Sequence, residues 1–296
     1  MPLLMHTYRQ QQTIAQPVSV KGVGYWSGRD VRVELRPASA NTGVVFVRGD
    51  LDLPVHIAAR IENRIETPRR TTLTCDGTSV EMVEHIMAAL AGLQIDNCEV
   101  WVDSAEMPGC DGSSLAFVEA LDSAGVVVQD APRTCLVVGE VTRLGNEEGW
   151  IEARPASRQE LSIKFRLDYA ATAPAIGRQT LEMAITPQSF RDELASSRTF
   201  LLEQEAQWLL DQGLGTRVTK KDLLIFDEEG PIENELRHED ECVRHKMLDL
   251  VGDLALMGCD LIGHVVAHRS GHRLNAELAK ALIQENEVIH QWKASA

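Results

Sequence analysis

The chain reads as an α+β protein made of two similar α/β halves, and three observations carry that reading. Early residues alternate with the two-residue period of a half-buried strand, with Val31, Val33 and Leu35 on one face and Arg32 and Glu34 on the other. Apolar residues then recur at helical spacing at Val83, Ile86, Met87, Leu90 and Leu93. Finally, Val83-Glu84-His85-Ile86-Met87 and Val243-Arg244-His245-Lys246-Met247 share the pattern V-x-H-x-M at the start of a predicted helix. After each helix come a glycine (Gly92, Gly258), a strand, a glycine-containing loop and another helix. Two similar domains facing each other, each giving a histidine to a shared cleft, account for the repeat. Two unrelated helices are the alternative.

The other elements follow in order. Asn41-Thr42-Gly43 makes a turn before a strand over 44–47. A helix is predicted over roughly 80–92 and a strand over 98–102. Asp111-Gly112-Ser113-Ser114 supplies N-cap chemistry for a helix ending near Gly125. The stretch 126–134 contains Pro132 and loses helical periodicity, which places a domain boundary there, giving domains 1–130 and 131–296. Strands are predicted near 136–141, 149–153 and 161–167, then helices near 187–198 and 240–257. Asp240 and Glu241 suit the positive end of the second of these helices. A strand over 261–267 and a helix over 273–290 close the chain.

Composition narrows the function classes. A chain of 296 residues has room for two cores, and 44% hydrophobic with 25% charged residues is ordinary for a globular protein. No apolar run approaches the ~20 residues that span a bilayer. Gln10, Gln11 and Gln12 stand where a signal peptide needs an apolar core, so a cytoplasmic protein is expected. The net charge of −15 and scattered Lys and Arg exclude a nucleic-acid groove, Arg69-Arg70 being too short for a basic patch. The same charge disfavours stable membrane anchoring, since anionic headgroups repel it. The six cysteines (Cys75, Cys98, Cys110, Cys135, Cys242, Cys259) form no CxxC pair and are expected to be reduced small hydrophobes. A monomer is expected.

The second V-x-H-x-M helix carries chemistry. His245, Asp249 and Asp253 are four apart and share one helix face. A His and an Asp one turn apart can reach one metal ion, and His85 would complete a three-ligand catalytic site with an open position. A solvated polar stripe is the alternative for such spacing alone. His2Asp ligation favours Zn2+, and Fe2+ would also accept it. Glu84, beside His85, is placed to take a proton from water whose pKa zinc lowers to about 7; a surface helix acid is the bland alternative. His272 in Ser270-Gly271-His272 can act as general acid if a carboxylate keeps it protonated, and Asp253 is the candidate. The alternative for His272 is a structural hydrogen bond at a helix start. Gly271 lets backbone approach a ligand. His6, His56, His238, His264, His268 and His290 read as structural or surface residues. Phosphate-loop fingerprints and a G-x-S-x-G elbow are absent from the sequence.

These residues, together with a longer series of motifs, resemble the UDP-3-O-acyl-N-acetylglucosamine deacetylase family of zinc amidases of lipid A biosynthesis. The series runs Gly22-Val23-Gly24, Leu35-Arg36-Pro37-Ala38, Asn41-Thr42-Gly43, Val83-Glu84-His85, Ala89-Leu90-Ala91-Gly92-Leu93, Ile95-Asp96-Asn97 and Asp111-Gly112-Ser113. It continues with Ser197-Arg198-Thr199-Phe200, Val243 to Asp249, Gly252-Asp253 and Ser270-Gly271-His272. The resemblance implies two domains, each a β-sheet packed on two α-helices, with a βαβ insertion in the second, supplied here by residues 201–232. It implies His85, His245 and Asp249 as zinc ligands, Glu84 as general base, and His272 as general acid oriented by Asp253. Thr199 matches an oxyanion-stabilising hydroxyl, Lys246 a substrate-contacting lysine, Phe200 an aromatic at the sugar, and Asp168 and Tyr169 an acid–aromatic pair near the uridine. The partner implied is an acylated UDP-sugar, hydrolysed at its N-acetyl group.

The chain departs from the family pattern in four places. Tyr25-Trp26 replaces the usual Leu-His after Gly24, and no basic residue stands near Gly139. The loop after Tyr169 reads Ala170-Ala171-Thr172-Ala173-Pro174, and the insertion carries Thr219-Lys220-Lys221-Asp222. Acyl length and nucleotide contacts are therefore not carried over. The rival readings are a zinc amidohydrolase of the same fold on another acylated substrate, and a non-catalytic zinc-binding protein. A base, an acid and an open position speak against the last, since a structural site needs none of them.

Overall fold

The computed structural model describes residues 9–294, and side chains through 285. His6 lies outside the described residues, as does the side chain of His290.

In the first half, β1 (Gln10–Ile14) precedes β2 (Val18–Val23), β3 (Asp30–Pro37), β4 (Val44–Arg48) and β5 (Val55–Ala58). A small hairpin sheet follows, of β6 (Arg64–Ile65), β7 (Thr72–Cys75) and β8 (Thr78–Glu81). Then come α1 (Glu84–Gly92), β9 (Cys98–Val102), α2 (Leu115–Ala124) and β10 (Val126–Pro132). The alternation in β3 does what its period predicts: Val31, Val33 and Leu35 are buried, while Arg32 and Glu34 face outward. The main sheet has the order β2-β3-β9-β4-β5, so the last of these strands in the chain lies at its centre. α2 packs on β2 and against α1.

Two expectations for this half change. The helix expected from about residue 80 begins at Glu84, because 78–81 pairs antiparallel with β7 and Met82 (φ 59°) turns the chain between them. Cross-strand pairing there overrides the apolar periodicity. The aperiodic stretch 126–134 is mostly β10, paired antiparallel with β1. Its Val126, Val127 and Val128 are exposed, which is why it carries no inward-outward alternation.

In the second half come β11 (Cys135–Val137), β12 (Thr142–Gly145), β13 (Trp150–Arg154), β14 (Leu161–Asp168) and β15 (Arg178–Ala184). After them lie α3 (Pro187–Ser189), β16 (Phe200–Leu202), α4 (Glu203–Asp211), β17 (Leu224–Phe226), α5 (Glu241–Ala255), β18 (Asp260–His268) and α6 (His272–Ala294). The sheet order β12-β13-β18-β14-β15 repeats that of the first half, with the same succession of antiparallel, antiparallel, parallel and antiparallel neighbours. α1 before β9 and α5 before β18 hold equivalent places, so V-x-H-x-M marks a topological repeat rather than two unrelated helices. β11 is an addition on β18.

The helix expected over 187–198 is short. Thr186 caps α3 by accepting from Ser189 N at 3.1 Å, and residues 190–194 then widen into a π-helical turn. That turn seats Phe190 on Gly92, where a Cβ would lie 2.3 Å from the ring. β16 and β17 pair in parallel around α4, forming the βαβ insertion. At the start of α5 the two acids do more than face a helix dipole. Glu241 accepts from Arg198 N and Nε (both 2.9 Å) and from Arg237 N (2.7 Å), while Asp240 accepts from Arg244 Nε (2.5 Å).

α1 and α5 pack directly on each other. They cross at Gly252, where a Cβ would sit 2.1 Å from the carbonyl oxygen of Glu84. Only a residue without a side chain lets the two backbones come this close. That crossing positions the site.

Candidate metal centre and active site

His85 opens α1 just after Glu84, and His245 and Asp249 lie one turn apart on α5. All three are buried, and their ligand atoms lie within 4.8 Å of one another. Asp249 Oδ1 is 3.3 Å from His245 Nε2 and 3.7 Å from His85 Nε2. The two rings stand edge to face, 5.1 Å apart. His245 Nδ1–H donates to the Ser197 carbonyl at 3.1 Å, which leaves the Nε2 lone pair turned toward the cluster. Burial pushes His245 down to about 3 and also lowers His85, so both imidazoles are neutral, the form that binds metals. Burial would raise Asp249, but the imidazoles and Lys246 outweigh it and hold the carboxylate well below its usual range.

The donor set fits a divalent cation. Asp249 Oδ2 accepts from Lys246 Nζ at 2.9 Å, whereas Oδ1 is buried with no hydrogen-bond partner among the described residues. A buried carboxylate oxygen facing two imidazole lone pairs is unfavourable unless a cation lies between them. Three ligands from these two helices would leave a coordination position open, as in catalytic rather than structural sites.

On one side of the triad lies Glu84. Its Oε2 accepts from Thr71 N at 3.0 Å. Burial raises its carboxyl to about 7, with Asp249 and Asp253 adding to the effect and His272 opposing it. The second group is His272, the first residue of α6. Its Nδ1 is 2.9 Å from Asp253 Oδ2, and Asp253 is completely buried. Asp253 also accepts from Thr71 Oγ1 at 2.6 Å and Asn275 Nδ2 at 2.8 Å. Burial alone would lower the imidazole, but Asp253, Asp249 and Glu84 together raise it to about 9.

These groups border one cavity of about 570 Å3. Of the expected site residues, Glu84, His85, Tyr169, Thr199, Phe200, His245, Lys246, Asp249, Gly271 and His272 line it. Asp253 does not line it and reaches the cavity through His272. Asp168 is also absent from the lining: its carboxylate accepts from Ala170 N and from Arg178 Nε, both at 3.2 Å. Thr199 is held by its N–H to Gly112 O at 2.7 Å, and its hydroxyl makes no hydrogen bond among the described residues. Lys246 Nζ is 5.8 Å from the Phe200 ring centre, and Phe200 meets Tyr169 edge to face at 5.6 Å. A Cβ at Gly271 would meet nothing within 4 Å, so that glycine opens onto free space rather than a tight contact.

One wall is apolar. Leu201, Leu209, Leu214, Val218, Leu223 and Ile225, all from the insertion, line it. Tyr25 and Trp26 face it from the first half. The Tyr25 hydroxyl donates to the Asp222 carbonyl, and the ring occupies the space beside Gly109, where a Cβ would lie 2.0 Å away. Glu106 holds this turn by accepting from Trp26 N at 2.7 Å and Ser27 N at 2.8 Å.

Sequence reasoning gave no site role to Thr71, Ser197 or Asn275. Ser197, although inside a motif, acts through its carbonyl, which no residue type signals, and Thr71 directly precedes β7, outside every motif. Asn275, three residues after His272 in the first turn of α6, was the one with a readable signal. His264 and His268 play no part at the cavity: His264 meets Ser162 Oγ at 2.8 Å, and His268 packs on Trp150.

Comparison with known proteins agrees with this arrangement. Residues 11–284 match the family model described as LpxC, UDP-3-O-acyl N-acetylglycosamine deacetylase. The chain belongs to that family. Among curated relatives, the UDP-3-O-acyl-N-acetylglucosamine deacetylase of Thermosynechococcus vestitus is 40% identical over 275 residues, covering 93% of this chain and 94% of the relative. Those of Brucella ovis (38% over 283 residues, 94% and 97%) and Syntrophus aciditrophicus (36% over 278 residues, 94% and 87%) are similar along nearly their whole length. Membership of the deacetylase family spans both halves of the fold, so it includes the triad, Glu84 and His272 together.

Proposed function

We propose that the chain is a zinc-dependent amidohydrolase that removes the N-acetyl group of UDP-3-O-[(3R)-3-hydroxyacyl]-N-acetylglucosamine in lipid A biosynthesis, giving acetate and the free amine. The observation that carries the proposal is the juxtaposition in one cavity of three elements. These are a triad with an orphaned Asp249 oxygen, a buried carboxyl on Glu84, and an imidazole on His272 backed by Asp253.

His85, His245 and Asp249 would hold the ion. When bound, it supplies Lewis-acid polarisation of the amide carbonyl and acidifies water. Glu84 accepts the proton of the attacking water, and its raised pKa suits a base working near neutral pH. Thr199 offers its free hydroxyl to the oxygen that gains negative charge. As the carbon–nitrogen bond breaks, protonated His272 delivers its proton to the departing nitrogen, and Asp253 stabilises the imidazolium. Water's hydroxyl ends in acetate and its proton is returned through the Glu84 and His272 pair, so atoms and protons balance. Lys246, Phe200, Tyr169 and Gly271 border the substrate, the insertion wall takes the acyl chain, and Asp168 sits next to Tyr169 toward the nucleotide.

The proposal includes a division of the chain into domains at residues 130/131, supported by the repeat of sheet order. It also includes a cytoplasmic monomer. No helix among the described residues is long and apolar enough to cross a membrane.

The test is acetate release from the acylated UDP-sugar, with and without chelator, beside UDP-N-acetylglucosamine and simple N-acetyl sugars as controls. Turnover confined to the acylated UDP-sugar is the expected result; equal turnover of simple N-acetyl sugars would overturn the substrate assignment. Replacing the acid or the base, in His272→Ala or Glu84→Ala, is expected to lower kcat by roughly 10²- to 10⁴-fold. Near-normal turnover in either folded variant would remove the assigned roles.

A further inference from the structure

We propose that Thr71 is a positioning residue that locks the Glu84 carboxylate and the Asp253–His272 pair into one rigid unit. The proposal rests on the catalytic reading above and extends it to a residue outside every motif of the sequence. Thr71 precedes β7 and is 1% exposed. Its two donors go to two different carboxylates: N–H to Glu84 Oε2 at 3.0 Å and Oγ1–H to Asp253 Oδ1 at 2.6 Å. Its hydroxyl oxygen also lies 3.3 Å from His272 Nδ1.

The division of labour follows from valence. With Oε2 occupied by the Thr71 N–H, Glu84 Oε1 has no hydrogen-bond partner among the described residues, so one defined oxygen is left to accept a proton. Asp253 is satisfied by Thr71 on Oδ1 and by Asn275 and His272 on Oδ2. A buried carboxylate short of one donor would rotate to share its remaining partners and turn the imidazole with it. Thr71 also joins the two halves at this point, since Asp253 and His272 belong to the second half and Thr71 and Glu84 to the first. Neither interaction touches a triad residue, so the effect is on proton transfer rather than on metal binding.

The test compares Thr71→Val, which keeps the backbone N–H and the shape but loses the hydroxyl, with Thr71→Ser, which restores it. In the zinc-loaded full chain, Thr71→Val is expected to lower kcat roughly 10²-fold with KM and zinc content unchanged. Thr71→Ser is expected to recover most of the loss. A second readout needs no turnover: the downfield Nδ1 proton resonance of His272, assigned by its absence from His272→Gln, should move in Thr71→Val and return in Thr71→Ser. If Thr71→Val does not fold, Thr71→Ala, which only removes atoms, is judged by the same two readouts. Wild-type kcat and an unmoved resonance in the hydroxyl-free variant, or a folded Thr71→Ser no better than it, would overturn the proposal. If the wild type does not deacetylate the acylated UDP-sugar, the functional reading fails by itself, and the resonance alone decides the role of Thr71.

Discussion

Nδ1 of His272 lies 2.9 Å from Oδ2 of Asp253, a carboxylate with no exposed surface. This pair converts burial, which would strip His272 of its charge, into a setting that keeps the imidazole protonated. Both residues sit in the second half, yet His272 faces the same cavity as Glu84 of the first.

The pair has a pH signature. Burial would lower His272, Asp253 raises it, and the balance stands at about 9. Activity that needs the protonated imidazole is lost as pH rises through that value. Asp253→Asn removes the attraction and leaves the burial, so the basic limb of the kcat/KM profile is expected to move to lower pH. The plateau should fall roughly 10²-fold. A profile with its basic limb unmoved would show that His272 is not the acid.

Metal removal should read out in both activity and stability. Chelation is expected to abolish turnover and Zn2+ to restore it. Because the ion binds the folded triad, zinc at 100 times its Kd should stabilise the chain by about 2.7 kcal/mol, seen as a rise in Tm. His245→Ala should lose both the stoichiometric zinc and the rise. A chain with full turnover and no bound metal would contradict the site.

The α1–α5 crossing predicts an effect at a residue that touches no ligand. Gly252→Ala places a Cβ against the Glu84 carbonyl, 2.1 Å away in the present packing, and must push α1 from α5. The expected cost is about 1–3 kcal/mol in urea unfolding. Zinc affinity should fall with it, by roughly 10-fold or more, because His85 moves away from His245 and Asp249. Unaltered zinc affinity in Gly252→Ala would mean that the helices need not approach this closely.

Arg198 and Glu241 form a buried ion pair beside the residues that serve the site: Ser197 holds His245, and Thr199 lines the cavity. Breaking it by Arg198→Ala or Glu241→Ala is expected to cost roughly 3–5 kcal/mol, since each leaves a buried charge alone. The double variant should lose less than the two single losses together. Additive losses in denaturant unfolding would show that the pair does not act as a unit.

Several elements were legible in the sequence because they depend on local order. The alternation of Val31, Val33 and Leu35 and the apolar periodicity of α1 and α5 needed no tertiary information. Other elements were not. The helix expected from about residue 80 starts only at Glu84, and 78–81 form β8, because a hairpin partner and the turn at Met82 compete better than propensity. β10 hides because its valines face outward and its only order is the pairing with β1. At the site, Asp168 is tied to Arg178 and lies beside Tyr169 but outside the cavity lining, an arrangement that adjacency in the sequence does not reveal.

What the sequence by itself determined is the chemistry available: a His and an Asp one helical turn apart, a Glu beside a second His, and the repeat of V-x-H-x-M. Residue type and short spacing suffice for that, because both are properties of a single helix. Only the tertiary structure decided that these groups share one cavity. His85 meets His245 and Asp249 because Gly252 lets α1 rest on α5, and Glu84 is tied to His272 through Thr71, a residue without any motif. Backbone approach and buried hydrogen-bond satisfaction are settled by packing between segments far apart in the chain, and local sequence patterns carry no record of it.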